Sequence, residues 1–191
     1  MTDPILIAMT GASGAIYGIE TLRLLKTIGQ PAHLILSEVA RRTIEIETDV
    51  SVDEVKALAE MVHSNKDQAA CVSSGSYRTR GMLIAPCSIK TLSGIASSYA
   101  DNLIIRAADV TLKERRRLVL MVRETPYHAG HIDLMRRATD AGAIIFPPMP
   151  AFYAKPKSIE ELVRQSVGRA LDLFGIEHEE INRWMGPDTS A

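Results

Sequence analysis

The sequence predicts an α/β fold in which a mostly parallel sheet is covered by helices on both faces. Strand-like runs alternate with helical patterns along nearly all 191 residues, and each run is continuously apolar rather than alternating. Such strands are typical of parallel sheets buried on both faces. A composition of 46% hydrophobic and 24% charged residues is ordinary for a folded protein. We expect a single domain over residues 1–191, with a tail from about residue 175.

The first two strand–helix units follow directly from the apolar pattern. Residues 5–9 form a short apolar run, and a small-residue turn leads from it into apolar positions at helical spacing over 16–25, closed by Gly29. Residues 32–36 predict a second strand and residues 38–45 a second helix.

The middle of the chain is less regular. Residues 52–61 predict a short helix, and residues 64–80, rich in Ser and Gly, are expected to be irregular. Residues 82–85 predict a buried strand that Pro86 interrupts, and residues 90–98 a helix.

The last third repeats the strand–helix alternation. Residues 102–116 predict a helix and residues 118–122 a strand. Residues 131–141 predict a helix, and residues 143–146 a final strand that a proline cluster stops. A helix over 158–174 follows, opened by a Ser-x-x-Glu pattern typical of a capping box.

Charge and cysteine content exclude several classes of protein. A net charge of −1 argues against a general nucleic-acid binder. The apolar runs are too short to span a membrane. Cys71 and Cys87, in a chain without a recognisable secretory leader, predict a reducing compartment, the cytoplasm.

Polar residues follow the apolar runs, where open parallel sheets bind ligands. In chain order they are Thr10 to Gly14, Ser37, Cys87 and Ser88 with Lys90 and Thr91, Arg123 and Glu124, and the prolines that lead to Tyr153. Small residues, hydroxyls and one Arg–Glu pair at one rim predict a pocket for a phosphorylated, planar ligand.

The turn from Gly11 to Ala15 has two interpretations. Its glycines and the helix start would present N–H groups to a phosphate. Alternatively it is a tight turn in which the Ser13 hydroxyl caps the helix. The pattern is neither a dinucleotide fingerprint nor a Walker loop, and Ala15 breaks the nucleophile-elbow motif.

Other candidate groups give weaker signals. Arg106 and Lys113 lie about two helical turns apart and would share a face, either solvated or holding a phosphate. His128 and His131 have metal-like spacing but no accompanying ligands, which favours a surface pair. Cys87 favours a buried apolar role. The single tryptophan, Trp184, is either a tail anchor or a ligand contact.

Six motifs in order resemble the UbiX-like flavin prenyltransferases over essentially the whole chain. They are Gly11-Ala-Ser-Gly-Ala-Ile-Tyr17, Glu47-Thr-Asp49, Pro86-Cys-Ser-Ile-Lys-Thr91, the helix from Arg106 to Arg116, Arg123-Glu-Thr-Pro126 and Pro147-Pro-x-Pro-Ala-Phe-Tyr153. The resemblance implies a Rossmann-like, flavodoxin-related domain that assembles as a dodecamer. It also implies transfer of a dimethylallyl group from dimethylallyl monophosphate to N5 and C6 of reduced FMN. The prenylated FMN then passes to a UbiD-type decarboxylase.

The resemblance also assigns expected site residues. FMN would be bound by Gly11, Ala12, Ser13, Ser37, Ser88, Ile89, Lys90, Thr91 and Arg123. The donor phosphate would be bound by Arg106, Lys113, Tyr153 and Arg169. Catalytic roles would fall to Ser13, Glu47, Lys113, Glu124 and Trp184. No Asp-Asp-x-x-Asp motif occurs, so side-chain cations rather than a metal are expected to neutralise the leaving phosphate. Glu124, in relay with Ser13, would supply the proton.

Two alternatives remain open at this point. An FMN-dependent decarboxylase of peptidyl cysteine would share the fold but use a His base and a clamping loop. An FMN carrier or assembly partner of a decarboxylase would need the flavin-side residues without the phosphate-binding cations or Glu124.

Overall fold

A computed structural model describes residues 2–186, and its centre is a sheet of six parallel strands. The strands are β1 (Ile5–Met9), β2 (Ala32–Leu36), β3 (Met61–Ser64), β4 (Gly81–Cys87), β5 (Arg117–Val122) and β6 (Ile144–Ile145). Their order across the sheet is β3-β2-β1-β4-β5-β6, and every neighbouring pair is parallel. The chain direction across the sheet reverses between β1 and β4, which makes their carboxyl ends the point where such sheets bind ligands.

Seven α-helices within the described residues connect and cover the strands. They are α1 (Ala15–Thr27), α2 (Glu38–Glu47), α3 (Val52–Lys56), α4 (Ile89–Ala96), α5 (Leu103–Lys113), α6 (Ala129–Asp140) and α7 (Ile159–Asp172). Five of them begin after a polar residue whose side chain accepts the N–H three positions on: Ser37, Ser51, Ser88, Asn102 and Ser158. Because these caps satisfy otherwise unpaired N–H groups, they explain where the helices begin.

Two apolar cores, one on each face of the sheet, explain the continuous apolar runs. In β1, Ile5, Ile7 and Met9 pack with α1 and α7, whereas Leu6 and Ala8 pack with α4 and α5. A central strand must therefore be apolar at every position. This confirms the predicted α/β fold.

The prediction of a helix over residues 52–61 is wrong in its second half. The helix α3 ends at Lys56, and Met61–Ser64 forms the edge strand β3, which pairs with β2 alone. Its side chains are exposed or half-exposed. Because only one side of this strand is paired and neither face is fully covered, it lacks the apolar run that marks the central strands.

The prediction that Pro86 interrupts the fourth strand is also wrong, because Pro86 lies inside β4. The register between β4 and β5 shifts between Ile84 and Cys87, and such a bulge accommodates a residue that has no N–H. The carbonyl of Pro86 still accepts the N–H of Thr10 at 3.2 Å, which joins the ends of β4 and β1.

The segment after α7 folds back onto that helix. Its backbone at Asn182 exchanges hydrogen bonds with Gln165 in the middle of α7. Residues 187–191 of the predicted tail lie outside the described residues. Within residues 2–186, every helix is too short or too polar to cross a bilayer.

Candidate active site

A cavity of about 360 Å³ opens at the carboxyl ends of β1, β2 and β4. Pockets for small molecules usually measure about 300–1,000 Å³. The apolar side chains of Val39, Ile104 and Ile105 form part of its wall. The cavity brings together five of the residues predicted to bind FMN: Gly11, Ser37, Ser88, Lys90 and Thr91.

The turn after β1 requires its glycines. A Cβ atom on Gly11 would lie 2.3 Å from Cγ1 of Val39, at the start of α2, so any side chain would displace that helix. Gly14 has a φ of 101°, a left-handed conformation that favours glycine. The tight turn carries Ala12 and Ser13 beside the cavity, with the Ser13 side chain exposed.

Glu47, rather than Ser13, caps the helix α1. The N–H groups of Gly14 and Ala15 donate to Oε2 of Glu47 at 2.8 and 3.0 Å. The expectation that Ser13 acts as the capping hydroxyl is therefore wrong. The expectation of free N–H groups for a phosphate at this turn is wrong for Gly14 and Ala15, because a carboxylate from α2 already accepts both.

The environment of Glu47 favours its ionised form. Burial alone would raise its pKa, but the nearby Ser13 hydroxyl, the two backbone N–H groups and the positive charge of Arg123 together lower it. Ser13, Glu47 and Arg123, three residues predicted from separate motifs, are thus electrostatic neighbours in one chain.

The start of α4 is a second set of N–H donors at the cavity. Ser88 accepts the N–H of Thr91 at 3.4 Å, and its hydroxyl donates to the hydroxyl of Thr91 at 3.2 Å. The first N–H groups of a helix have no partner within it, and the helix dipole favours an anion there. The side chain of Ile89 packs against the core, so its backbone N–H is the group it can offer a ligand. Lys90 adds a positive charge beside it.

Thr10 holds this helix start in place; the sequence predicted it among the polar residues at this rim but assigned it no binding or catalytic role. Its buried hydroxyl donates to the Pro86 carbonyl at 2.8 Å and accepts the N–H of Ser88 at 2.8 Å. In the sequence, a threonine between an apolar strand and a Gly-rich turn indicates only that the strand ends there. Its role depends on the pairing of β1 with β4, which is not visible in the sequence.

Asn65 is another cavity residue that sequence reasoning missed. Its backbone carbonyl and its Oδ1 accept the N–H groups of Leu103 and Ile104 at 2.9 and 3.0 Å, which caps α5 from outside that helix. It follows the edge strand β3, and the sequence predicted an irregular stretch over residues 64–80 at this point instead of a strand end.

Arg123 and Glu124 follow β5 at the same edge of the sheet. The N–H of Arg123 donates to the Cys87 carbonyl at 3.1 Å, which holds the end of β5 beside the end of β4. The half-buried Glu124 accepts the N–H of Thr125 at 3.0 Å. Burial raises the pKa of Tyr17 while the charge of Arg123 lowers it, so Tyr17 also faces this region.

Arg106 and Lys113 share one face of α5, as predicted, but that face contacts the segment before β4. Arg106 donates to the Ser73 carbonyl at 3.1 Å and pairs with Asp109 at 3.0 Å. Lys113 pairs with Glu114 at 2.5 Å. Lys113 is the last residue of α5 and precedes the start of β5 by a few residues, so it lies at the amino edge of the sheet, opposite the cavity.

Arg169 also lies toward that amino edge, in the last turn of α7. Phe174, just beyond this helix, packs where β4 begins, next to Gly81. Arg169 pairs with Asp172 at 2.5 Å. Both oxygens of Asp172 also accept Arg183 of the tail, at 2.8 and 2.9 Å. The Arg183 hydrogen bond, with the charges of both arginines, lowers the pKa of Asp172 against the effect of burial.

Tyr153 and Trp184 form an aromatic pair beside α7. Their ring centroids lie 5.8 Å apart with an interplanar angle of 72°, an edge-to-face contact. Gln165 of α7 donates to the Tyr153 hydroxyl at 3.3 Å. One chain therefore places the four predicted donor-binding residues in separate clusters, and the lining of the cavity includes none of them.

The remaining sequence candidates have structural roles. Cys87 is fully buried, and burial raises the pKa of its thiol to about 12, so the apolar interpretation is confirmed. The rings of His128 and His131 stack with centroids 3.6 Å apart, and Nδ1 of His128 accepts the N–H of Gly130. Among residues 2–186, His, Cys, Asp and Glu side chains do not gather in threes at metal-binding distances.

Comparison with known proteins gives consistent matches. The family described as Flavoprotein matches residues 2–171. A flavin prenyltransferase UbiX from Thauera aromatica is 53% identical over 182 residues, which cover 95% of this chain and 94% of that protein. The flavin prenyltransferase UbiX of Escherichia coli K12 is 52% identical over 185 residues, which cover 95% and 98%.

Solved structures agree with the sequence matches. AnUbiX in complex with FMN and dimethylallyl pyrophosphate is 52% identical, with a TM-score of 0.96 over 97% of this chain and 99% of that chain. A dodecameric FMN-dependent UbiX-like decarboxylase from Escherichia coli O157:H7 is 47% identical, with a TM-score of 0.93 over 96% and 100%. The FMN-dependent cysteine decarboxylase SpaF is 13% identical with a TM-score of 0.62, a likeness of fold alone.

Proposed function

This chain belongs to the Flavoprotein family and, within it, to the UbiX flavin prenyltransferases, and from that premise we propose how its residues share the reaction. The protein is a prenyltransferase with FMN as the acceptor. Its donor is a dimethylallyl phosphate ester. The new bonds form at N5 and C6 of the reduced flavin, which supplies the electron-rich carbon and nitrogen when bound.

FMN binds in the cavity at the switch between β1 and β4. Two features of this cavity suit FMN. The N–H and hydroxyl donors at the start of α4 suit its phosphate, and the apolar walls opposite suit its planar ring. Ser88, Thr91 and the N–H groups of Ile89 and Lys90 take the phosphate, and Ser37 adds a hydroxyl. Gly11 and Ala12 allow close approach of the ring system. Arg123 lies on the side of Ser13 and Glu47.

The donor phosphate binds where two copies of the chain meet. Lys113 and Arg169 lie toward the amino edge of the sheet, whereas Ser13 and Glu124 lie at the carboxyl edge, so these groups of one subunit cannot surround one small ester. A neighbouring subunit can supply the missing groups, and a relative of known structure is dodecameric. We therefore propose a homo-oligomer, a dodecamer, in which Arg106, Lys113, Arg169 and Tyr153 complete pockets shared between subunits.

Charge neutralisation and proton transfer are the chemistry this chain must supply. The leaving phosphate is stabilised by guanidinium, ammonium and phenol groups, and the sequence lacks an Asp-Asp-x-x-Asp motif for a metal-bound diphosphate. We therefore propose the monophosphate as the donor. Glu124 protonates that phosphate, with Ser13 in relay, and later accepts the proton released from the flavin. Glu47 holds the Ser13 turn, and Trp184 with Tyr153 offers aromatic faces to the developing allylic cation.

The product, prenylated FMN, is used by another enzyme. We propose that a UbiD-type decarboxylase receives the prenylated FMN, because the product is a modified cofactor rather than a metabolite. We also propose that residues 1–191 form one flavoprotein domain and that the protein is cytoplasmic. The free thiols of Cys71 and Cys87 support that location.

The test is direct. The protein is incubated without oxygen with reduced FMN and either dimethylallyl monophosphate or the diphosphate, and the extracted flavin is weighed. We expect the gain of one C5H8 unit with the monophosphate and a slower gain with the diphosphate. Flavin of unchanged mass with both donors would contradict the transferase and leave an FMN carrier. A faster reaction with the diphosphate would contradict the choice of donor alone.

A further inference from the structure

Gln165 is a buried polar residue at the centre of the face of α7 that carries the aromatic pair. Its side chain is 5% exposed, and its helical neighbours Val163 and Val167 belong to the apolar core. An amide at such a position is costly unless its hydrogen bonds are made. The contacts that Gln165 makes therefore indicate why it is there.

The amide of Gln165 bonds two different segments at once. Nε2 donates to the Tyr153 hydroxyl at 3.3 Å and to the Asn182 carbonyl at 3.0 Å. Oε1 accepts the N–H of Asn182, also at 3.0 Å. The side chain thus pairs with the peptide groups of the tail as a neighbouring strand would, and it uses its remaining donor on the phenol.

These bonds fix the backbone next to Trp184. Asn182 is held by Gln165, and the adjacent Arg183 is held by both oxygens of Asp172. Trp184 follows immediately and meets the Tyr153 ring edge to face. Gln165 therefore holds the phenol directly and, together with Asp172 and the Ala154 carbonyl that accepts the Asn182 amide, holds the tail that leads to the indole.

We propose that Gln165 is a positioning residue that aligns Tyr153 and Trp184 as one wall of the donor site. This inference rests on the proposed function, in which these two aromatic residues face the dimethylallyl phosphate. Gln165 itself touches neither substrate. It acts by holding the tail on α7, so its loss should weaken donor binding and leave FMN binding unchanged.

The key variant is Gln165→Met, which keeps the volume of the side chain and removes every hydrogen bond. Trp184 is the only tryptophan in the chain, so time-resolved fluorescence anisotropy of the FMN-free protein reports on the tail directly. We expect the fast depolarising component to grow about twofold as the tail loosens. We expect the KM for dimethylallyl monophosphate to rise about tenfold, the size of one to two lost hydrogen bonds, with the KM for FMN changed by less than about twofold.

Two further variants make the result specific. Ser166→Ala is the matched control, because this buried hydroxyl bonds only the Leu162 carbonyl of its own helix, and both readouts should equal those of the wild type. Gln165→Glu keeps acceptors for the Asn182 N–H and the Tyr153 hydroxyl and loses the bond to the Asn182 carbonyl. We expect its KM for the donor to lie between those of the wild type and Gln165→Met. If Gln165→Met does not fold, Gln165→Glu takes its place in both measurements.

The outcomes separate this inference from the proposed function. Unchanged Trp184 anisotropy in both Gln165 variants would overturn the inference, and so would an equal rise of KM for both substrates. If the wild type transfers no prenyl group, the proposed function fails. The anisotropy of the Gln165 variants against Ser166→Ala still decides whether Gln165 positions Trp184.

Discussion

Oε2 of Glu47, at the end of α2, accepts the backbone N–H of Gly14, at the start of α1, with an N···O distance of 2.8 Å. The contact joins the two helices that flank the turn bearing Ser13. A carboxylate at this helix start lowers the energy of the unpaired N–H groups and of the helix dipole together.

Glu47→Gln should make stability less dependent on pH. The pKa of Glu47 in the folded protein lies below its ordinary value of 4.5, because its hydrogen bonds and Arg123 outweigh burial. Its contribution is therefore present above that value and lost as the pH falls through the lower folded value. In urea denaturation we expect the wild type to exceed the variant by about 1 kcal/mol at neutral pH, a modest figure because the side chain is exposed.

That difference should shrink as the pH falls below 4.5 and through the lower pKa of the folded protein. Glu45→Gln, on the exposed face of the same helix, is the control and should show no such trend. If the free energies of unfolding of the wild type and Glu47→Gln differ by the same amount at every pH, the ionised carboxylate is not the source of the difference.

Thr10→Val should weaken both the fold and FMN binding. The change keeps the shape of the side chain but leaves the Ser88 N–H without its acceptor and the Pro86 carbonyl with one donor fewer. We expect a loss of about 1–3 kcal/mol in the free energy of unfolding and a weaker Kd for FMN, measured by flavin fluorescence. Thr111→Val, which removes a buried hydroxyl bonded to the Ala107 carbonyl within α5, should leave the FMN Kd unaltered.

Glu124→Gln should slow prenyl transfer without loss of FMN binding. The amide keeps an acceptor for the Thr125 N–H but cannot donate the proton that the leaving phosphate needs. We expect the rate of flavin alkylation to fall by about 100-fold or more, followed by mass spectrometry under anaerobic conditions. Alkylation at both N5 and C6 at the native rate would remove Glu124 from the acid–base role.

Tyr153→Phe should raise the KM for the donor. The change removes the phenol from the proposed phosphate site and from Gln165, while the ring keeps its edge-to-face contact with Trp184. We expect an increase of about tenfold to 100-fold in donor KM, in line with one lost hydrogen bond to a charged group. Tyr99→Phe, at a tyrosine that is 69% exposed, is the matched control and should behave as the wild type. An unchanged donor KM in the Tyr153 variant would place the phosphate elsewhere.

Mixed oligomers should test whether pockets are shared. Lys113→Ala and Ser13→Ala are each expected to be nearly inactive as pure oligomers. If each pocket takes Ser13 from one chain and Lys113 from another, random co-assembly restores both groups in about a quarter of the pockets. If both groups belong to one chain, every pocket stays defective and the mixture stays inactive, which would contradict the shared site.

The strands of the sheet differ in how well the sequence predicts them. The central strands were predicted because each is buried on both faces and is therefore apolar throughout. The edge strand β3 was missed because Met61 and Val62 are partly exposed, and its four residues are too few to show a period-two pattern. Asn65 was missed with it, since the carboxyl end of an unrecognised strand was not searched for polar residues.

The two halves of the site differ in the same way. Ser37 and Ser88 were predictable because they follow strands and cap the next helix, and Thr91 lies in the first turn of the helix that Ser88 caps, so a local rule places all three at one edge. The proposed convergence of Arg106, Lys113 and Arg169 on one donor site cannot be derived in this way. The three residues are absent from the lining of the cavity in their own chain, and a site formed between subunits would leave no periodic pattern in a sequence.

Asp172 pairs with both Arg169 and Arg183, and this sharing affects how Arg169 can bind a second anion. Arg183 alone occupies both carboxylate oxygens of Asp172, so that acid keeps a counter-ion when Arg169 turns away. Arg169 can therefore exchange one anion for another, from its helix neighbour to an incoming ester, without exposing an uncompensated charge. In the proposed reaction, this exchange of partners makes binding of the ester by Arg169 easily reversible, which suits release of the phosphate product after each turnover.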